Sequence, residues 1–310
     1  MLTVSNYHYI REDFSAPFPS IFGVSPASFK NQIDLLKTTG QFITPDYLVN
    51  NIDFILNSDD NYILITFDDG LREQYEVAKP ILDQHKIKGL YFINSINHIE
   101  KEVSLVHKIH LVRSQTQPTI LLKYIESKLA DYDVKLSQAE KNKAVSHYNY
   151  DDVHSACLKY LLNFKLTSNQ LKTIIDSLFN EKFDSEKICS NLYMNQQQLQ
   201  DLADGNMLGS HTHSHYALGL LSPKEIESEM FKTIIFLNSF KKNTYLTISY
   251  PYGVKEACSS PVPEIAAVLG HKIGFTMERG SNASNADKLL LKRFDCNDLP
   301  GGKFYKATPW

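Results

Sequence analysis

Two clusters in this 310-residue chain have the residue types and spacing that could hold one divalent metal ion beside a free base: Thr66-Phe67-Asp68-Asp69-Gly70 and His211-Thr212-His213-Ser214-His215. The adjacent carboxylates of Asp68 and Asp69 offer one ligand and one unbound base. His211 and His215, four positions apart on a helical turn or tight loop, turn their rings the same way, while His213 faces elsewhere. Two neutral imidazoles and one carboxylate make a three-ligand set that leaves a position open for water or substrate. Each half has a plainer explanation alone, since Asp-Asp-Gly is commonly a turn and a histidine-rich tract can bind metal adventitiously on a surface.

The elements around these residues give them a place. The apolar run Tyr62 to Ile65 predicts a buried strand, and Gly70 lets the chain turn after it. The two Asp residues then lie at a strand's C-terminal edge, where α/β folds carry their chemistry. Strand-like segments at 3–9, 62–67, 89–94, 207–210, 245–250, 272–276 and 289–294 alternate with helix-like segments at 26–39, 73–86, 195–204, 223–240 and 261–270. That alternation predicts βα units around a parallel sheet. Between 97 and 189 the pattern stops. Gly is absent there, Pro118 is the one proline, and apolar residues recur at helical spacing, as in Leu105, Val106, Ile109 and Val112. The expected organisation is one α/β domain over 1–96 and 190–310, with an all-helical insertion of four to six helices over 97–189. The insertion is either a packed subdomain or a lid or dimer contact.

Taken together, the two clusters resemble the first two motifs of the NodB-homology polysaccharide deacetylases, TFDDG and H-[ST]-x-[ST]-H, without a substitution. The resemblance implies a distorted (β/α)7-type barrel with the metal at its C-terminal face. It also implies that Asp68 is the general base and that Asp69, His211 and His215 are the metal ligands. Tyr250-Pro251-Tyr252-Gly253 is similar to the third motif, R-x-P-[FY]-G, which makes the backbone N–H of Tyr252 an oxyanion donor. The Arg of that motif is Ser249 here, and Arg293, in Leu291-Lys292-Arg293-Phe294-Asp295, is the candidate to orient Asp68 in its place. The family's usual L-x-H acid is missing after the third motif, and His271 reads as structural. Asn6-Tyr7-His8-Tyr9 instead resembles the start of the circularly permuted branch that includes the poly-N-acetylglucosamine deacetylases, which makes His8 the general acid.

The implied activity is metal-dependent removal of an N-acetyl group from an amino sugar used in cell-surface polysaccharide. The expected ion is Zn²⁺, with Co²⁺ or Ni²⁺ as alternatives, because imidazole and carboxylate suit all three. Hydrolysis of another small acyl amide or an O-acetyl ester, or sugar binding without catalysis, are the competing functions. A formal charge of −3 with no concentrated basic stretch argues against a nucleic-acid partner. Four cysteines without CxxC spacing read as reduced thiols. No apolar run approaches a membrane span and no signal segment precedes the first strand, so the expected location is cytoplasmic and the expected substrate a small nucleotide- or lipid-linked sugar. The motifs do not specify the oligomeric state.

Overall fold

The computed structural model describes residues 1–17, 21–130, 134–148, 151–240 and 246–305. The chain divides into two units, one of Met1–Asp13, Gly23–Glu102 and Glu186–Trp310, the other of Phe14–Phe22 and Val103–Ser185. The second unit is narrower than the expected 97–189 and takes in 14–22. Residues on either side of it stay with the sheet through short contacts: the Ile96 N–H donates to the His213 carbonyl at 3.2 Å, and the Cys189 thiol to the Asn97 carbonyl at 3.7 Å.

The first unit is built on a curled sheet of β1 (Leu2–Tyr7), β2 (Gln41–Phe42), β3 (Tyr62–Phe67), β4 (Leu90–Ile93), β5 (Leu208–Ser210), β6 (Thr247–Ser249), β7 (Ile273–Phe275) and β8 (Phe294–Asp295). The order is β7-β6-β5-β4-β3-β1-β8, with β2 pairing onto β3, and every pairing is parallel. With helices in the crossovers, this is the distorted (β/α) barrel architecture. Alternation along the strands sorts the core into two layers. Ile63, Ile65 and Phe67 of β3 pack with helix residues Phe29, Ile33, Leu36 and Leu82. Tyr62 and Leu64 instead join Leu2, Val4, Phe92, Ile273 and Phe275, contributed by strands from across the sheet, so this second layer is its concave side.

Three features depart from the sequence reading. A helix over Pro45–Asn57, capped by the Thr44 side chain, sits where no element was expected. Its Leu48, Ile52, Ile55 and Leu56 pack into the concave layer beside Leu2 and Tyr62, the first residues of their strands, so it covers the end of the sheet away from Asp68. The helix expected over 73–86 is a π turn, Gln74–Ala78, followed by an α-helix, Lys79–Gln84. Pro80 has no N–H to give the Glu76 carbonyl, and the Lys79 N–H reaches back to Gln74 instead. The strand expected over 289–294 is only Phe294–Asp295, because the segment changes neighbours part-way. Leu291 bridges Phe275 of β7, exchanging 2.8 Å bonds with Gly274 and Thr276, and Phe294 then pairs with Ser5 of β1. The segment thus joins the two edges of the sheet. Of the strand expected over 245–250, the first residue lies outside the described residues.

The second unit contains, among the described residues, five α-helices: Leu105–Ser114, Pro118–Lys128, Gln138–His147, Val153–Tyr160 and Ser168–Lys182. Ser137 with Glu140 and Thr167 with Gln170 form reciprocal capping boxes that satisfy the first N–H groups of two of them. Its Leu121, Ile125, Leu158, Ile175 and Phe179 are fully buried. A partly buried ion pair, Lys108 to Asp176 at 2.7 Å, ties the first of these helices to the last.

Candidate active site

Asp68 follows β3 directly, and its N–H closes the ladder to β1 by donating to the Tyr7 carbonyl at 3.1 Å. The chain then turns through two left-handed residues, Asp69 at φ 78° and Gly70 at φ 63°. A side chain at Gly70 would be strained by this φ and would have to displace Ile93 Cδ1, 2.8 Å from where its Cβ would stand. Asp69 adopts a conformation that costs a non-glycine residue on the order of 1–3 kcal/mol, and such strain is retained where geometry serves a site. The loop after β5 does the same at Thr212 (φ 61°) and His215 (φ 60°), so it is not a helical turn.

These turns bring three buried ligand atoms together. The donor atoms of Asp69, His211 and His215 lie within 4.8 Å of one another. The Nε2 atoms of His211 and His215 stand 3.5 and 3.4 Å from the same Asp69 oxygen, Oδ1. The donor set fits one divalent ion. His211 Nδ1 lies 2.7 Å from the Ser249 carbonyl, which accepts only from a protonated nitrogen and so leaves the Nε2 lone pair directed at the shared point.

The ligand loop is fastened on two sides. The Asn94 amide donates to the carbonyls of His211 and Thr212. The Glu229 carboxylate, 8 % exposed, accepts from the Ser214 N–H at 2.7 Å and its hydroxyl at 2.9 Å. His213, which faces away from the ligands, places Nδ1 2.8 Å from Ser95 Oγ and Nε2 3.0 Å from Glu100 Oε1. Replacing Glu229 with Ala is expected to weaken divalent-metal affinity about 10- to 100-fold, the usual cost of losing a group that orients ligands. Competition against a chromogenic chelator measures it.

Asp68 and Arg293 form the floor beneath this point. Arg293 is 0 % exposed, yet all five of its N–H directions have acceptors. Nε donates to the Thr276 carbonyl at 2.9 Å, Nη1 to Asn6 Oδ1 and Asp68 Oδ1 at 3.0 Å each, and Nη2 to Asp68 Oδ2 and Ser249 Oγ at 2.8 Å each. Asp68 Oδ2 also accepts from the Asn6 amide at 3.0 Å. Burial by itself would raise the pKa of Asp68. The Arg293 guanidinium, aided by the His211 ring and by hydrogen bonding from Arg293, overrides it and holds the carboxyl well below the usual carboxylate range. Asp68 is therefore ionised and fixed in orientation. Ser249, which stands at the third-motif position of arginine, accepts a hydrogen bond from the Arg293 guanidinium.

The open side of the site carries His8 and Tyr252. His8 follows β1, its side chain is 36 % exposed, and its Nε2 lies 3.9 Å from Asp69 Oδ2. Tyr252 is half-exposed, with its ring centroid 5.1 Å from that of His215, and both it and Gly253 are left-handed, at φ 62° and 59°. The structure thus brings His8, Asp68, Asp69, His211, His215, Tyr252 and Arg293 to one end of the sheet. His271 precedes β7 at the opposite end, where burial pushes its pKa down to about 4. Asn6, Gln74, Asn94 and Glu229 escaped the sequence reading, because polar residues that serve carbonyls and other side chains carry no spacing signal. For Asn6 the one available hint was strand alternation, which puts it on the same face as His8.

The sequence model for polysaccharide deacetylases matches residues 56–116 and 140–273 of the chain. No curated protein matches it by sequence. Among solved structures, the fold is similar to a deacetylase, PplD, of Streptococcus pyogenes in complex with acetate, at 18 % identity and TM-score 0.54 over 99 % of this chain and 98 % of that one. IcaB from Ammonifex degensii is similar at 16 % identity and TM-score 0.57, over 97 % and 94 % of the two chains. A de-N-acetylase from Aggregatibacter actinomycetemcomitans matches at 12 % identity and TM-score 0.53, over 94 % and 93 %.

Proposed function

The chain belongs to the polysaccharide deacetylase family, and from that membership we propose that it is a metal-dependent hydrolase that removes N-acetyl groups from an amino sugar destined for cell-surface polysaccharide. The observation that carries this is the convergence of Asp69, His211 and His215 on one point, with Asp68 held ionised beside it. The choice of an N-acetyl group is supported by a structural neighbour described as a de-N-acetylase.

Asp69, His211 and His215 would hold the ion, Zn²⁺ in our proposal, with Co²⁺ or Ni²⁺ able to replace it. When bound, such an ion makes water more acidic and polarises an acyl oxygen. Asp68 takes the proton from the attacking water, and Arg293 keeps its carboxylate ionised and aimed. The Tyr252 N–H, in a left-handed turn that sets the Tyr252 ring 5.1 Å from that of His215, serves as donor to the oxyanion. His8, on the open side, gives a proton to the departing nitrogen as the C–N bond breaks, yielding acetate and a free amine. The proposed setting is the cytoplasm, where thiols such as those of the four buried cysteines stay reduced.

Chelation should abolish acetate release from N-acetylated amino sugars, and Zn²⁺, Co²⁺ or Ni²⁺ should restore it. Release measured by an enzyme-coupled acetate assay that persists in metal-free protein, or that no ion restores, would end the proposal.

A further inference from the structure

We propose that Glu73 and Gln74 form a clamp that sets where His8 stands relative to Asp68 and Asp69, which makes Gln74 a positioning residue for proton delivery. The inference rests on His8 acting as the acid. The ladder between β1 and β3 ends where the Asp68 N–H meets the Tyr7 carbonyl, because Asp69 turns away and leaves the next carbonyls without a strand partner. Gln74 takes over at that point. Its side chain is 0 % exposed, and its amide nitrogen donates to the His8 carbonyl at 3.0 Å and to the Asp68 carbonyl at 2.6 Å. Its Oε1 accepts from the Leu71 N–H at 3.1 Å, so three acceptor and donor groups fix which way the amide points.

Glu73 secures the residues that follow His8. Its Oε1 accepts from the Ile10 N–H at 2.6 Å, and its Oε2 from Arg11 Nε at 2.7 Å and Nη2 at 2.6 Å. Two consecutive side chains at the start of the π turn therefore hold the stretch after β1 to the corner that carries Asp68 and Asp69. Neither reaches the reacting atoms. Their effect is on alignment, for which a displacement of about 1 Å can cost about 100-fold in rate.

The test compares wild type, Gln74→Met, His8→Ala and the double variant on an N-acetylglucosamine oligomer and on an aryl acetate. The amide needs a proton for its leaving nitrogen, whereas the aryl oxygen leaves as a weak base without one. Gln74→Met should lose about 10- to 100-fold in kcat on the amide, with KM within about twofold, bound metal at the wild-type level, and aryl acetate hydrolysis within about threefold. The double variant should be no slower than His8→Ala alone, since a residue that acts through another adds nothing once that one is gone. Glu73→Ala, at a partly exposed side chain, should repeat the pattern more weakly and provides the answer if Gln74→Met does not fold. Equal losses from Gln74→Met with and without His8, or loss of metal along with activity, would overturn the clamp alone. His8→Ala at wild-type amide activity would overturn the acid role and the clamp with it.

Discussion

Replacing Asp68 with Asn should lower kcat for acetate release by about 1000-fold, inside the range of about 10²–10⁴ for loss of a positioned base, while the protein keeps one equivalent of metal. The amide matches the carboxylate in shape but cannot take the proton. Asp69, His211 and His215 are untouched, so metal content by elemental analysis separates this variant from Asp69→Ala, which should lose ion and activity together. Wild-type kcat in Asp68→Asn, or metal lost in step with activity, would remove Asp68 from the role of base.

Replacing Arg293 with Met should cost about 3–5 kcal/mol of stability and most of the activity. The guanidinium is buried with a carboxylate and four further acceptors, the Thr276 carbonyl, Asn6 Oδ1, Ser249 Oγ and, at 3.3 Å, Thr66 Oγ1, and removing one member of such a group strands the rest. Without it, burial dominates at Asp68. The carboxyl then titrates higher and is no longer held at two oxygens. Asp68→Asn combined with Arg293→Met should regain part of the stability, since neither charge is then unpaired, but none of the activity. Urea unfolding of the three variants measures this coupling. Arg293→Met as stable as wild type, or a double variant less stable than both single ones by the sum of their losses, would contradict it.

Residues that do chemistry were more legible in the sequence than residues that hold them. Asp68, Asp69, His211 and His215 stand in two short clusters whose types announce a ligand set, and the apolar run Tyr62 to Ile65 puts the first cluster at a strand's C-terminal end. Arg293 was visible only as a gap at Ser249 and a lone cation far along the chain, because the contact between them is made by the fold and not by spacing. Gln74 gave no signal. Its work is done through backbone carbonyls, which every residue has, at a turn whose π geometry follows from a proline downstream. The helix Pro45–Asn57 is signalled at its start by Thr44 and Pro45, but the weak helix formers Asn50 and Asn51 and the kink at Asn51 interrupt its pattern. The change of partner within 289–295 cannot be read locally, since one apolar-rich run serves two different neighbours.

The segment that joins β7 to β1 is also the one that carries Arg293. The charge that Asp68 requires is supplied by a stretch made more than two hundred positions later in synthesis, and only when that stretch has seated between the first and seventh strands. Completion of the barrel and the pairing of Asp68, the proposed base, with its counter-charge are thus a single event. With that seam still open, Asp68 lacks the guanidinium that pairs with it in the folded molecule. The catalyst comes into being together with its final fold.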